Sequence, residues 1–406
     1  MTKRNIVAGI DVGSFKVCTI IGEIKKNSGI NIIGIGTSPS TGVKKGIVVD
    51  IDSTVKAISN SVKKAEKMAN VKIDSVFLNF SGGNVALIKN RGIVAVSRED
   101  KEITIEDVER AIQTAKVVAI PSDREIIDVI PVEFIIDGNS GIKDPVGMVG
   151  VRLETVVNIV TGSTTIVHNL MRCVRKSGLD IEGMILGSLA SAEVVLNDDE
   201  KELGVVLIDV GGGITNVSVF EGGNLCYISS IPVGGDYITN DIAVGLRIPL
   251  SKAEELKRNY GRLILNESDK SKDIEIKRIG EKIPSKITYY ELNKIIEARV
   301  YEIIELVKQD LEKSGFINIL PAGAAITGGG VYSFEGMTEL TSSLLDMPVR
   351  IAVPEYLGVN DPSYTVAIGL LEYAYKSKFF VKQAAAKTDR IDSFINKLKN
   401  WLKDYF

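Results

Sequence analysis

The chain has 406 residues, 45% of them hydrophobic and 25% charged, with a net charge of −3. Such a length exceeds one ordinary hydrophobic core and predicts two or more domains, while the near-balanced charge excludes broad nucleic-acid binding by bulk electrostatics. Three scattered cysteines, Cys18, Cys173 and Cys226, exclude a disulfide framework or a thiolate metal site, fit a reducing compartment and are expected in the core.

The opening MTKRNIVAGID carries two positive charges, but its apolar run stops at Asp11, too early for a secretory segment. No stretch approaches the ~20 consecutive apolar residues of a spanning helix. The expected location is the cytoplasmic side of the membrane. IVAGIDVGSFKVCTIIGEI then reads as strand, turn, strand, and GVVLIDVGGGITNVSVFEGG repeats that pattern in the second half of the chain. A repeat so widely spaced predicts two related halves rather than a solenoid.

Residues 84–161 between them have another texture, an α+β insert. The strand-like runs GIVAVS, REIIDVIPVEFII and ETVVNIVTG flank a helical stretch whose Ile105, Val108, Ala111, Ile112 and Ala115 keep helical spacing behind Thr104 as N-cap. A helix over 163–178 and the run MILGSLASAEVVL (184–196) lead to the second half. There, 241–324 reads as a further insert, opened by Ser251 and Glu254 at capping-box spacing and closed by the long helix YELNKIIEARVYEIIELVKQDLEKSG. PAGAAITGGGV and YTVAIGLLEYAY follow, then a linker over 376–390. In the last stretch, 391–406, Ile391, Phe394, Ile395, Leu398, Trp401, Leu402, Tyr405 and Phe406 share one helical face. Lys397, Lys399 and Lys403 lie opposite, the pattern of a helix lying in a lipid interface.

The glycine-rich turns carry the chemistry. Backbone N–H groups in tight turns form concave donor nests, and glycine lets a phosphate approach without meeting a β-carbon. Two such turns facing each other would grip a polyphosphate. Asp11 and Asp209, at the strand ends, would then hold a hydrated Mg2+ mainly through water. Gly328, Gly329 and Gly330 would let backbone lie flush against a base or ribose, as would Gly234 and Gly235.

In order, IDVGS with its lysine, IDVGGGITNVSVF, ITGGGV and the two small-residue helices resemble the five motifs of the actin, Hsp70 and sugar-kinase ATPase superfamily. Within it, the insert at 84–161 and the amphipathic tail resemble the FtsA family of bacterial cell-division proteins. The resemblance implies an actin-like two-lobed α/β fold of duplicated RNase H-like halves. Subdomain 1A would take 1–83 and 162–200, 1C 84–161, 2A 201–240 and 325–375, and 2B 241–324. It implies ATP with Mg2+ as cofactors, held by Asp11, Gly13, Ser14, Phe15 and Lys16 on one lip. Asp209, Gly211, Gly212, Gly213, Thr215 and Asn216 would form the other, with Gly234, Gly235, Gly328, Gly329, Gly330, Lys252 and Glu255 near the nucleoside. Gly187, Ala190, Ala367 and Gly369 would allow two helices to cross closely at the cleft base.

Implied partners are a second copy of the chain, the FtsZ C-terminal tail at Arg299 and Glu302, an anionic membrane surface at 391–406, and other division proteins at the septum. No residue is marked as orienting an attacking water, and His168, in the apolar helix IVHNLMRCV, reads as structural. A switch with slow ATP turnover at most is therefore expected, primarily a scaffold anchoring the division ring. The alternatives on the same fold are a small-molecule kinase, which would need a base over a substrate hydroxyl, and a pilus- or secretion-associated assembly platform.

Overall fold

A computed structural model describes residues 5–25, 29–82, 85–266, 272–281, 283–331, 333–356 and 359–386, with side chains as far as Lys376. In chain order the elements are β1 (Ile6–Val12), β2 (Lys16–Lys25), β3 (Gly29–Pro39), the ribbon β4 (Val43–Lys44) and β5 (Ile47–Val48), α1 (Ile51–Ala69) and β6 (Ser75–Phe80). The inserted domain contributes β7 (Ala86–Ala95), α2 (Ile105–Ala115), β8 (Arg124–Ile136), β9 (Asn139–Ile142) and β10 (Arg152–Ser163). The chain returns through α3 (Thr164–Lys176), β11 (Asp180–Leu186), α4 (Gly187–Val195) and α5 (Asp198–Leu203). The second lobe holds β12 (Val205–Val210), β13 (Thr215–Glu221), β14 (Asn224–Ile231), α6 (Gly235–Leu246), α7 (Leu250–Tyr260), β15 (Asp273–Ile276) and β16 (Ser285–Thr288). It closes with α8 (Tyr289–Ser314), β17 (Ala324–Thr327), α9 (Met337–Leu345), β18 (Val349–Ile351), a 3-10 turn (Pro362–Tyr364) and α10 (Thr365–Ala386).

The two lobes share one plan. Sheet order is β11-β6-β1-β2-β3 in the first and β14-β13-β12-β17-β18 in the second. In both, the hairpin and its third strand are antiparallel, while the two strands on the other side run parallel to the first. The duplication anticipated from the two IDVG stretches is therefore one of whole sheets. Strand β1 is apolar on both sides because both are covered: Ala8 and Ile10 join the core under α1 and α3, and Val7 joins the one under α10. The insert is a separate sheet, β7-β10-β8-β9, whose core of Val96, Val108, Ala111, Phe134 and Leu153 lies under α2.

Local chemistry sets the helix ends. Thr104 caps α2 as expected, its amide donating to Asp107 Oδ2 at 2.9 Å. Helix α8 begins with a capping box in which the Thr288 amide donates to Glu291 Oε2 at 2.7 Å, and it ends at Gly315 with φ +81°. Behind the cap, Leu292, Ile296, Val300, Ile303, Val307 and Leu311 form its buried stripe. Thr288→Ala is expected to cost about 1 kcal/mol in urea or thermal melts, since it orphans the amide of Glu291 at the helix start.

Three expectations are corrected. Ser251 does not cap α7: Pro249 takes the N-cap place, its carbonyl accepting from Lys252 and Ala253, and Ser251 is inside the helix. Cys18 and Cys173 are buried, but Cys226 is exposed on β14, its thiol donating to the Glu221 and Asn224 carbonyls. Helix α10 runs to Ala386, so most of the stretch read as linker is helical. Residues 391–406, the amphipathic tail, lie outside the described residues.

At the base of the cleft α4 and α10 cross on their smallest residues. A Cβ on Gly369 would stand 1.9 Å from the Ala190 carbonyl oxygen, and Ala190 and Ala367 are fully buried. Gly187 makes its close approach elsewhere, against Ser81 and Asn79.

Candidate functional site

The hairpins β1–β2 and β12–β13 end in the same turn. Gly13 N donates to Lys16 O at 3.1 Å, and Gly211 N donates to Ile214 O at 2.9 Å. The turn tips meet across the cleft: a Cβ on Gly213 would lie 2.7 Å from Ser14 Oγ, and one on Gly212 2.8 Å from the Phe15 Cβ. Ser14 Oγ also accepts from Gly46 N at 3.0 Å. Side chains strap the lobes together, with Arg258 of α7 5.2 Å from the centroid of the Phe15 ring and Lys45 5.5 Å from that of Tyr237.

Asp11 and Asp209 stand at equivalent ends of β1 and β12. Asn79 donates to Asp11 Oδ1 at 2.7 Å. Burial raises the Asp11 carboxyl above its usual range, opposed by Asn79 and by the charge of Lys16. Asp209 is pushed up to about 7, first by burial and then by the negative charge of Asp11, with Asn216 opposing. Two buried carboxyls, the second with its ionisation disfavoured by the charge of the first, are suited to share a cation. Lys16, whose burial lowers its pKa, projects toward the 3-10 turn ahead of α10.

The remaining glycines close in behind the second turn. Gly235 N donates to Gly211 O at 2.9 Å, Asp236 N to Gly212 O at 2.8 Å and Gly330 N to Val210 O at 2.8 Å. Gly328 takes φ +90°, and a Cβ there would lie 2.3 Å from Asp209 Oδ1. A Cβ on Gly234 would meet Gly211 O and Gly212 O, each at 2.6 Å. The five glycines thus let three loops stack edge to edge, and any side chain would part them.

Similarity to known proteins bears on the identity of this fold. A family model described as Cell division protein FtsA matches residues 206–369, and one described as SHS2 domain inserted in FTSA matches residues 82–161. The cell division protein FtsA of Bacillus subtilis is 41% identical over 377 residues, 93% of this chain and 85% of that protein. The chain belongs to the FtsA family. The Pseudomonas aeruginosa FtsA is 36% identical over 99% of this chain and 98% of its own, and that of Escherichia coli K12 is 35% identical over 100% and 99%. Among solved structures, a PilM-PilN type IV pilus biogenesis complex aligns with TM-score 0.64 at 16% identity, covering 92% of this chain and 99% of that one. MreB 5 of Spiroplasma citri bound to AMPPNP aligns at 0.59 and 14%, covering 94% and 99%. The fold is accordingly actin-like, with the inserted domain of the FtsA family.

Within this FtsA-family fold, Asp11, Gly13, Ser14, Phe15, Lys16, Asp209, Gly211, Gly212 and Gly213 do converge. Thr215 is fully buried and its hydroxyl donates to Val233 O at 2.8 Å, so it braces the hairpin rather than lining the cleft. Lys252 and Glu255 pair with each other at 2.6 Å on an open part of α7. The face of α7 turned to the turns carries Glu254, Lys257 and Arg258 instead. Lys257, almost fully buried, donates to Gly235 O at 3.1 Å and Thr239 Oγ1 at 2.8 Å and pairs with Glu254 at 2.7 Å. Beside it Asp236 has a raised pKa, chiefly from burial. Sequence reading missed this cluster, although a lysine one turn after the core residue Ala253 was a signal. His168 is exposed, 3.2 Å from Glu125, and stands apart from the cleft. Arg299 reaches from α8 to Asp241 of α6 at 2.6 Å and also pairs with Glu302, whose side chain is half exposed.

Proposed function

We propose that the chain is a nucleotide-dependent adaptor of bacterial division: it binds ATP with Mg2+, self-associates in actin fashion, holds the FtsZ C-terminal tail and anchors the division ring to the membrane. The observation that carries the nucleotide reading is the opposition of two identically closed hairpin turns with Asp11 and Asp209 beneath them. The donor set fits the ligand. Amides at the tips, Ser14 and Phe15 on one side and Gly212 and Gly213 on the other, can donate to phosphate oxygens. Asp11 and Asp209 can hold the water shell of Mg2+, which when bound neutralises phosphate charge. Lys16 supplies a cation, and the stacked loops at Gly234, Gly235 and Gly328 to Gly330 leave flat backbone for the nucleoside.

The tail supports the anchoring role through its sequence. Its bulky apolar face and lysines opposite favour reversible interfacial binding, which an array of linked copies multiplies. Family membership favours this reading over a small-molecule kinase, because relatives named for cell division match nearly the full chain. Recruitment of later division proteins would follow from the same scaffold.

The test is capture of an FtsZ C-terminal peptide and its recruitment to anionic vesicles. Glu302→Lys, an exposed change, is expected to weaken peptide capture about tenfold or more while leaving nucleotide binding intact, as is Arg299→Glu. Deleting 391–406 should abolish vesicle recruitment alone. Undiminished capture by both charge variants removes the assigned docking pair, and sugar-dependent release of ADP would establish the kinase instead.

A further inference from the structure

Lys16 joins the first hairpin to the start of α10. Its Nζ donates to Ser363 Oγ at 2.7 Å and lies 3.6 Å from the centroid of the Tyr364 ring. Ser363 is held in turn, its amide donating to Asp361 Oδ1 at 2.8 Å in the short turn Pro362–Tyr364. Ser363 also abuts the glycine run of the second lobe, for a Cβ on Gly329 would stand 2.8 Å from the Ser363 Cβ. One residue therefore touches the lysine of the first lip and the glycine run assigned to the nucleoside.

The partners of this ammonium are neutral, a hydroxyl and an aromatic face. Among the described residues Lys16 forms no ion pair, although Asp11 and Asp361 act on it from farther away. The bond to Ser363 is already charge-assisted through its donor, but a phosphate oxygen adds a full opposite charge that neither the hydroxyl nor the ring carries. A phosphate oxygen arriving between the turns would offer such a bond to the same Nζ, and any movement of the ammonium toward it would lengthen the bond to Ser363 and lift the charge off the Tyr364 ring.

We propose that Ser363 and Tyr364 form a resting dock for Lys16 from which nucleotide phosphate draws it, so that these two residues set nucleotide affinity by competition. This deepens the nucleotide-binding reading above and rests on it. A ligand shifts such an equilibrium only by its differential affinity for the two arrangements, so the free energy of leaving the dock is subtracted from phosphate binding. Weakening the dock then has an unusual sign: it tightens binding. Ser363 and Tyr364 are positioning residues acting through Lys16, and a purely structural role would give the opposite sign or none.

The experiment is calorimetric titration of the full chain with a non-hydrolysable ATP analogue and Mg2+. Ser363→Ala is expected to bind about tenfold tighter than the parent. Tyr364→Leu, which removes the ring face, should shift affinity the same way, whereas Tyr364→Phe keeps the ring and should stay within about twofold. In a Lys16→Met background, where binding is weak, Ser363→Ala should make no further difference, because the coupling runs through that ammonium. Binding by the parent with equal or weaker binding by both Ser363→Ala and Tyr364→Leu overturns the dock while leaving the nucleotide site standing. Absence of binding by the parent overturns both.

Discussion

Asp209→Asn is expected to make the protein harder to unfold at neutral and alkaline pH while abolishing its Mg2+-dependent grip on nucleotide. The carboxyl is pushed up to about 7 in the fold, above the ordinary 3.8, by burial and by Asp11. The folded chain therefore holds this proton more tightly than the unfolded chain does. The resulting stability is fully present below the ordinary carboxylate range and is lost as pH rises through about 7. Asparagine removes the charge without removing the side-chain volume. The gap between the melting curves of variant and parent should open between about pH 4 and pH 7 and stay open above, reaching on the order of 2 kcal/mol. Nucleotide affinity should fall by about a hundredfold with Mg2+ and change little without it, since the lost group acts on the cation. Melting curves that stay parallel across that pH range would contradict the raised Asp209 carboxyl, and unchanged Mg2+ dependence would contradict the shared-cation reading.

Gly369→Ala is expected to cost about 3 kcal/mol or more, a severe loss for one added methyl group. The new carbon would stand 1.9 Å from the Ala190 carbonyl oxygen and 2.3 Å from its carbonyl carbon, so only a shift of α10 against α4 can accommodate it. Because those atoms are backbone, Ala190→Gly should not restore stability. Gly178→Ala serves as comparison: that glycine has φ +85° and open space around it, so the change strains the backbone alone, by about 1 kcal/mol. Equal melting temperatures for the two variants, or rescue by Ala190→Gly, would mean that the helices do not cross this closely.

Much of the fold could be read from residues that act locally. The two hairpins were visible because an apolar run, an aspartate and glycines specify strand and turn without outside help, and the Thr104 cap of α2 lies within one helical turn. What the sequence hid depends on neighbours far along the chain. Ser251 had the right spacing for a cap, but Pro249 two residues earlier already starts the helix. The resemblance puts Lys252 and Glu255 near the nucleoside, whereas the rotation of α7 that turns Glu254, Lys257 and Arg258 inward is set by packing against α6. Arg299 and Glu302 read as a surface pair three residues apart, and the second partner of Arg299, Asp241 at 2.6 Å, stayed hidden because it belongs to another helix. Thr215 follows the turn like a ligand residue, yet the carbonyl it serves comes from Val233.

Helix α10 begins where Ser363 and Tyr364 meet the hairpin lysine and continues for 22 residues without interruption. At 1.5 Å per residue that is a rod of about 33 Å. Its near end is pinned at Gly369 against a backbone carbonyl, which makes the crossing a fulcrum and the rest of the helix a lever arm. Tilting the rod about that point by about five degrees would sweep its distal tip through roughly 2 Å, so adjustments at the cleft too small to alter either sheet arrive magnified at Ala386.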